Sequence, residues 1–344
     1  RVIRVIRLSG LLSYEASEGG KQRSACLRNG KLYERGVCAV WPRGVTCAQI
    51  LPKGYSSFLR GTSPAPMSCC SAPATSRVSL ALNVNQNDAK IRDSRFQRFG
   101  TTMVLKGNGH LIVGNHWFQG DNVTDGPRVA GLVFTEPNVK SVLTGNYIDN
   151  CFVEWTNEHD ATPTLGSDYS FGELAITGNI FTANDVATSH AWLVIKPHGA
   201  DHYIQGLSVS GNTFKSLNGS VARVEKVDDS IAGLDFSRSR NVLFEGNTFN
   251  GISQNTINPV MLDFDQPTNQ SVWTLEAGDY LPFNGWARRV SAIVVEELET
   301  NSQQAYDMPQ VATQQGANKD QVTLSWPQSV HGKVQVTVRM DKPV

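Results

Sequence analysis

From about residue 86 to residue 265, apolar and polar residues alternate in short runs. Each run closes on Gly-Asn, with a large apolar residue two places further on. Five full copies occur, at Leu111–Phe118, Val142–Ile148, Leu174–Phe181, Leu207–Phe214 and Val242–Phe249. Their glycines fall at 114, 145, 178, 211 and 246, in steps of 31, 33, 33 and 35. Ile91–Phe96 is a degenerate copy, 21 residues upstream of the first full one. Period-two alternation predicts strands rather than helices. Gly tolerates backbone angles closed to other residues, and Asn is the next most tolerant, so the pair bends the chain between two strands. One such unit cannot bury its apolar face alone, whereas stacked units can, rising about 4.8 Å per coil. Stacking in register predicts a column of Asn115, Asn146, Asn179, Asn212 and Asn247 whose amides bond up the stack. The competing reading is a series of separate Gly-Asn hairpins.

These copies resemble the repeats of right-handed parallel β-helix proteins, the pectate-lyase-like superfamily. The resemblance covers residues 86–265. It implies an all-β fold, a single-stranded right-handed parallel β-helix with a small β-rich C-terminal region. That superfamily contains polysaccharide lyases and glycoside hydrolases. Phage-type tailspikes and tail fibres use the same fold, usually as trimers, to grip surface polysaccharide. The paired aspartates, Gly-His-Gly and Arg-Ile-Lys of polygalacturonases are not found here, nor is the Asp-His signature of classical pectate lyases. No catalytic residue therefore carries over by motif, and fold alone does not fix function.

The chain has 344 residues and a formal net charge of zero, which hides two unlike parts. Residues 1–80 hold twelve Lys or Arg against three Glu, and the remainder holds 19 basic and 28 acidic residues. The first 85 residues lack Asp and His and carry five of the six cysteines: Cys26, Cys38, Cys47, Cys69 and Cys70. Their spacing is not that of a zinc site. A disulfide module is one reading. The preferred one is an atypical basic segment, poorly ordered and foreign to the repeat domain that follows. Its cations are scattered rather than gathered on one face, so nucleic acid is not an expected partner. No run of about 20 apolar residues suits a membrane span, and no signal peptide is recognisable at the start. The expected setting is extracellular, or a cell or virion surface.

Residues 266–344 lose the repeat but keep strand-like runs, among them the clean alternation Lys333–Arg339. They are expected to form a β-rich cap, since an open parallel stack exposes strand edges that pair with other chains. A homotrimer-forming tail is the competing use.

Candidate chemistry lies between the copies. One further strand is expected in each interval: Gly131–Phe134, Phe152–Thr156, Ala191–Lys196, Val221–Val227 and Val260–Asp265. Alternation aims Glu154, Lys196, Arg223, Glu225, Asp263 and Asp265 outward onto one sheet. Asn157-Glu158-His159-Asp160 offers acid, imidazole and acid in one loop; His198, Asp201 and His202 form a second cluster, and Asp228-Asp229 a third. A glycosidase needs two carboxyls flanking the scissile bond. Glu154 or Asp160 on one coil and Asp228 or Glu225 on another would supply them. A lyase needs its substrate carboxylate neutralised, by Lys196 or Arg223, and a base such as His159 or His198. The candidate catalytic residues are therefore Glu154, Glu158, His159, Asp160, His198 and Asp228, and the candidate substrate-binding residues are Lys196, Arg223 and Glu225. No metal site and no definite cofactor are assigned; a divalent cation such as calcium is the cofactor considered. The expected partner is a polysaccharide. Trp117, Trp155, Trp192 and Tyr147 would stack on sugar rings if exposed, but at these alternating positions the core is the expected place for them.

Overall fold

Gly114, Gly145, Gly178, Gly211 and Gly246 all lie at φ of 62–65°, the left-handed conformation that turns one strand into the next. In the degenerate first copy Asp93 takes that place at φ 50°. The strands on either side of these corners stack in parallel, each pairing with the strand one coil earlier and one coil later. The computed structural model describes residues 70–119, 128–158, 169–301 and 303–342, together with backbone strands at 3–8, 11–18, 21–28, 31–32 and 47–48. Side chains are described from residue 80 onward, except Arg98.

The architecture is a parallel β-helix of three sheets. Sheet 1 precedes the Gly-Asn corner and holds Lys90–Arg92, Leu111–Val113, Ser141–Thr144, Ser170–Thr177, Tyr203–Ser210 and Arg240–Glu245. Sheet 2 follows the corner, with His116–Phe118, Tyr147–Asp149, Ile180–Ala183, Thr213–Ser216 and Thr248–Asn250. Sheet 3 holds Ala130–Phe134, Phe152–Thr156, Leu193–Lys196 and Glu225–Val227. The long strand Arg95–Lys106 serves sheet 2 with its first half and sheet 3 with its second. The strand Cys70–Asn85 pairs in parallel below it, Leu82 against Met103 and Val84 against Leu105, so the stack begins ahead of residue 86.

Alternation drives one column of apolar side chains inward from each sheet. Ile91, Ile112, Leu143, Ile176, Val209 and Phe244 line sheet 1. Phe96, Trp117, Ile148, Phe181, Phe214 and Phe249 line sheet 2, where Phe181 and Phe214 stack at 4.8 Å. Leu105, Phe134, Trp155 and Ile195 line sheet 3. Trp117, Trp155 and Trp192 are all buried, whereas Tyr147, also expected in the core, is only half-buried and meets the His116 ring edge-on at 4.7 Å.

The asparagine column forms as a ladder. The Nδ2 of Asn115, Asn146, Asn179 and Asn212 each donates to the Oδ1 of the next asparagine, at 2.9–3.0 Å, ending on Asn247. Each Oδ1 also accepts the backbone N–H of the asparagine below, and each Nδ2 donates to a carbonyl of sheet 1. The ladder thus satisfies the polar groups that a sharp corner removes from the sheets.

Val260–Asp265, expected as the last coil strand, does something else. It opens the long strand Val260–Glu276, which pairs antiparallel with Gln321–Arg339. Arg289–Glu299 and Gln310–Gln315 complete a four-stranded antiparallel sheet. The alternation that suggested a coil strand suits an antiparallel strand equally well, because period two does not choose a partner. Two residues seal the open end of sheet 1. Asn258 exchanges backbone hydrogen bonds with Phe244, and the fully buried Asp341 carboxylate accepts from Val242 N at 3.0 Å, Asn258 Nδ2 at 3.1 Å and Arg339 Nε at 3.0 Å.

Candidate functional site

Of the residues singled out above, the outer face of sheet 3 and the loop beside it gather Glu154, Glu158, Lys196, His198 and Asp228. Its strands run in register: Glu154 opposes Val194, which opposes Lys226, while Thr156 opposes Lys196. Asp228 follows in the next coil, its N–H donating to Ile195 O at 2.8 Å. Glu154, Lys196 and Asp228 therefore stand on three successive coils.

The loop after Phe152–Thr156 is held tightly to the coil above. Asn157, fully buried, accepts His198 N on its Oδ1 at 2.8 Å and sets its Nδ2 2.8 Å from His202 Nε2. Glu158 N donates to Thr156 Oγ1 at 3.1 Å. These contacts bring the Glu158 carboxylate to 3.7 Å from Lys196 Nζ and 3.9 Å from His198 Nε2, the latter longer than a hydrogen bond. Exposed pairs of this kind contribute little to stability; they fix where charge sits.

Two carboxyls of this face are driven in opposite directions. Burial raises the Glu154 carboxyl above the ordinary glutamate range; Lys196 opposes this, and Glu158 and Asp228 reinforce it. The Ser230 hydroxyl, with Ser230 N–H and the nearby Lys196 and Lys226, holds Asp228 below the ordinary aspartate range against a smaller effect of burial. The two strands are separated by two coil rises, roughly 10 Å at about 4.8 Å each. Lys226 belongs to this cluster although sequence reasoning passed over it. The expected alternation aimed Arg223 and Glu225 outward and so turned Lys226 inward, whereas the observed register puts Lys226 beside Val194 on the outer side.

Arg223 and Glu225 are placed differently from expectation. The expected strand Val221–Val227 is broken: Val221 pairs alone with Ile252, and the regular strand starts only at Glu225. The break shifts the phase, so Glu225 opposes Leu193 on the inner side of sheet 3 and is 1% exposed. Its carboxylate accepts from Arg223 Nε at 3.1 Å, Thr256 Oγ1 at 2.8 Å and Phe283 N at 3.1 Å. Arg223 also donates to Gln254 Oε1 and the carbonyl of Leu281. The pair ties the last coil to the C-terminal region and leaves no surface for a ligand. Burial pushes the Glu225 carboxyl up, against the pull of Arg223, Thr256 and Phe283 N–H.

Asp263 and Asp265 stand on the antiparallel sheet, not on sheet 3. His202 is fully buried and stacks on Tyr169 at 5.0 Å, while Asp201 is exposed, so the loop at 198–202 does not converge on one point. Among the described residues no group of three His, Cys, Asp or Glu is placed to hold a metal ion. No helix among them is long and apolar enough to cross a membrane. His159 and Asp160 lie outside the described residues.

Fold and site together define a parallel β-helix protein with an antiparallel β cap and a charged cluster on one wall. Neither the models of known protein families nor the curated proteins contain a match to this chain.

Proposed function

We propose that this chain binds a polysaccharide along the outer face of sheet 3 and cleaves it by hydrolysis. The observation carrying this reading is a pair of carboxyls, two coils apart, whose proton affinities are driven apart, with Lys196 between them. Titratable pairs separated in this way mark acid and base roles. In the proposed reaction Glu154 gives its proton to the glycosidic oxygen as the C1–O bond breaks. Asp228 takes a proton from the water whose oxygen bonds to C1. Of the pairs open from sequence, Glu225 is spoken for by the joint. Membership of the pectate-lyase-like superfamily is part of this proposal, supported by the Gly-Asn repeat and the three-sheet coil.

The test is a panel of purified polysaccharides, read for new reducing ends and for the absorbance of unsaturated products. New reducing ends without unsaturation, lost in Glu154→Gln, are expected. Unsaturated products would assign the site to lyase chemistry instead. Binding with no cleavage of any glycan would leave a receptor-binding spike or fibre and refute turnover.

A further inference from the structure

His202 closes the loop that joins sheet 3 to sheet 1, and the structure buries it completely. Its backbone and its ring are held by different coils. The carbonyl accepts Asp235 N–H from the coil above at 2.7 Å. The ring stacks on Tyr169 at 5.0 Å and meets Phe171 edge-on at 5.9 Å. Its Nε2 lies 2.8 Å from Asn157 Nδ2, on the coil below. The other end of the Asn157 amide settles which of these two nitrogens donates. Asn157 Oδ1 accepts the backbone N–H of His198 at 2.8 Å, so the amide cannot be turned round without setting N–H against N–H. An amide nitrogen donates and does not accept, so His202 Nε2 offers its lone pair. A neutral imidazole that accepts on Nε2 carries its proton on Nδ1.

We propose that His202, in this tautomer, is a positioning residue: through Asn157 it sets the Glu158 carboxylate against Lys196 and His198. Glu158 is exposed, and its contacts at 3.7 and 3.9 Å are too loose to hold the side chain by themselves. Asn157, directly before it, is fully buried and bonded at both ends of its amide. Glu158 therefore takes its place from Asn157, and Asn157 takes its own from His202. The consequence is electrical. Held in place, the Glu158 charge disfavours ionisation of the Glu154 carboxyl; released into water, that charge is screened. Its meaning for catalysis rests on the hydrolysis proposed for sheet 3, yet the contact and its effect on Glu154 exist whether or not a glycan is cut.

Nitrogen-15 NMR of the full chain at neutral pH reads the His202 ring directly, its signals being those lost in His202→Gln. Nδ1 is expected to carry the proton and Nε2 to be bare; a proton on Nε2 would overturn the proposal. Asn157→Asp puts an oxygen acceptor where Nδ2 stood and is expected to bring a proton onto Nε2. The Glu154 titration, followed by carboxyl carbon-13 NMR, reads the positioning. His202→Phe keeps a ring against Tyr169 but removes the acceptor. It is expected to move that titration toward acid, as Glu158→Gln does, and the two together no further than either alone. His202→Gln restores an acceptor and is expected to titrate like the wild type. A His202→Phe titration like that of the wild type, or a shift that adds to that of Glu158→Gln, would overturn positioning. Should His202→Phe lose its β spectrum, the wild-type ring signals and Asn157→Asp decide. A chain that cuts no glycan would sink hydrolysis and leave these results untouched.

Discussion

Glu154 and Asp228 are both carboxylic acids, and what separates them is their surroundings. Burial disfavours the charged form of Glu154, whereas the Ser230 donors favour the charged form of Asp228. Proposed hydrolysis needs Asp228 ionised and Glu154 protonated, so activity should rise through the lowered Asp228 pKa and fall through the raised Glu154 pKa. Neighbours should move the alkaline limb in opposite directions. Lys196 stabilises the Glu154 carboxylate, so Lys196→Met is expected to carry that limb to higher pH. Glu158 disfavours it, so Glu158→Gln is expected to carry it to lower pH. Rate–pH profiles of the two variants check both signs, and shifts in the same direction would break the assignment. Glu225 belongs to stability instead. Glu225→Ala leaves Arg223 buried without its carboxylate and is expected to cost about 3–5 kcal/mol, read as a lowered denaturant midpoint at constant slope.

At the scale of the element, the corner is the unit that repeats, and its two residues act by different physics. Gly178 has open space where a side chain would stand, so Gly178→Ala meets only the left-handed backbone penalty, about 1–2 kcal/mol. Asn179 both gives and receives ladder bonds and is 1% exposed. Asn179→Ala strands buried groups on both sides and is expected to cost about 3 kcal/mol or more, at ~1–3 kcal/mol per group. Asn247 ends the ladder and receives from one side only, so Asn247→Ala should cost less. Equilibrium unfolding of the three variants ranks them; equal losses at 179 and 247 would argue against a cooperative column. This element was legible in sequence because its signal is local. Five Gly-Asn corners with matched apolar flanks announced themselves, and the degenerate first copy kept the same turn with Asp93 in place of glycine. Glu225 was misjudged because the alternation loses phase between Val221 and Glu225, and nothing in that stretch marks the break. Partner choice was equally hidden at Val260, where period two fits a coil strand and an antiparallel strand alike. The candidate cluster was legible as separate residues, but not as a cluster. Glu158 meets Lys196 and His198 only because Thr156 stacks under Lys196, a register that depends on the length of the whole intervening coil.

For the whole molecule, a stack of parallel strands has two ends, and the described structure closes the upper one with residues from the far C-terminus. Asp341 and Asn258 satisfy the groups that sheet 1 would otherwise leave open. Asp341→Ala is expected to lower stability and, by freeing the edge at Val242, to promote association between chains; light scattering on heating checks it against the wild type. The central claim is that stacking makes a single site from residues 74 positions apart in the chain, Glu154 and Asp228. A double-mutant cycle on the hydrolysis rate tests it most directly, using Glu154→Gln, Asp228→Asn and the pair together. One shared site is expected to give two severely impaired single variants and a double variant no worse than either. Losses that multiply, or a single variant that keeps the wild-type rate, would contradict it.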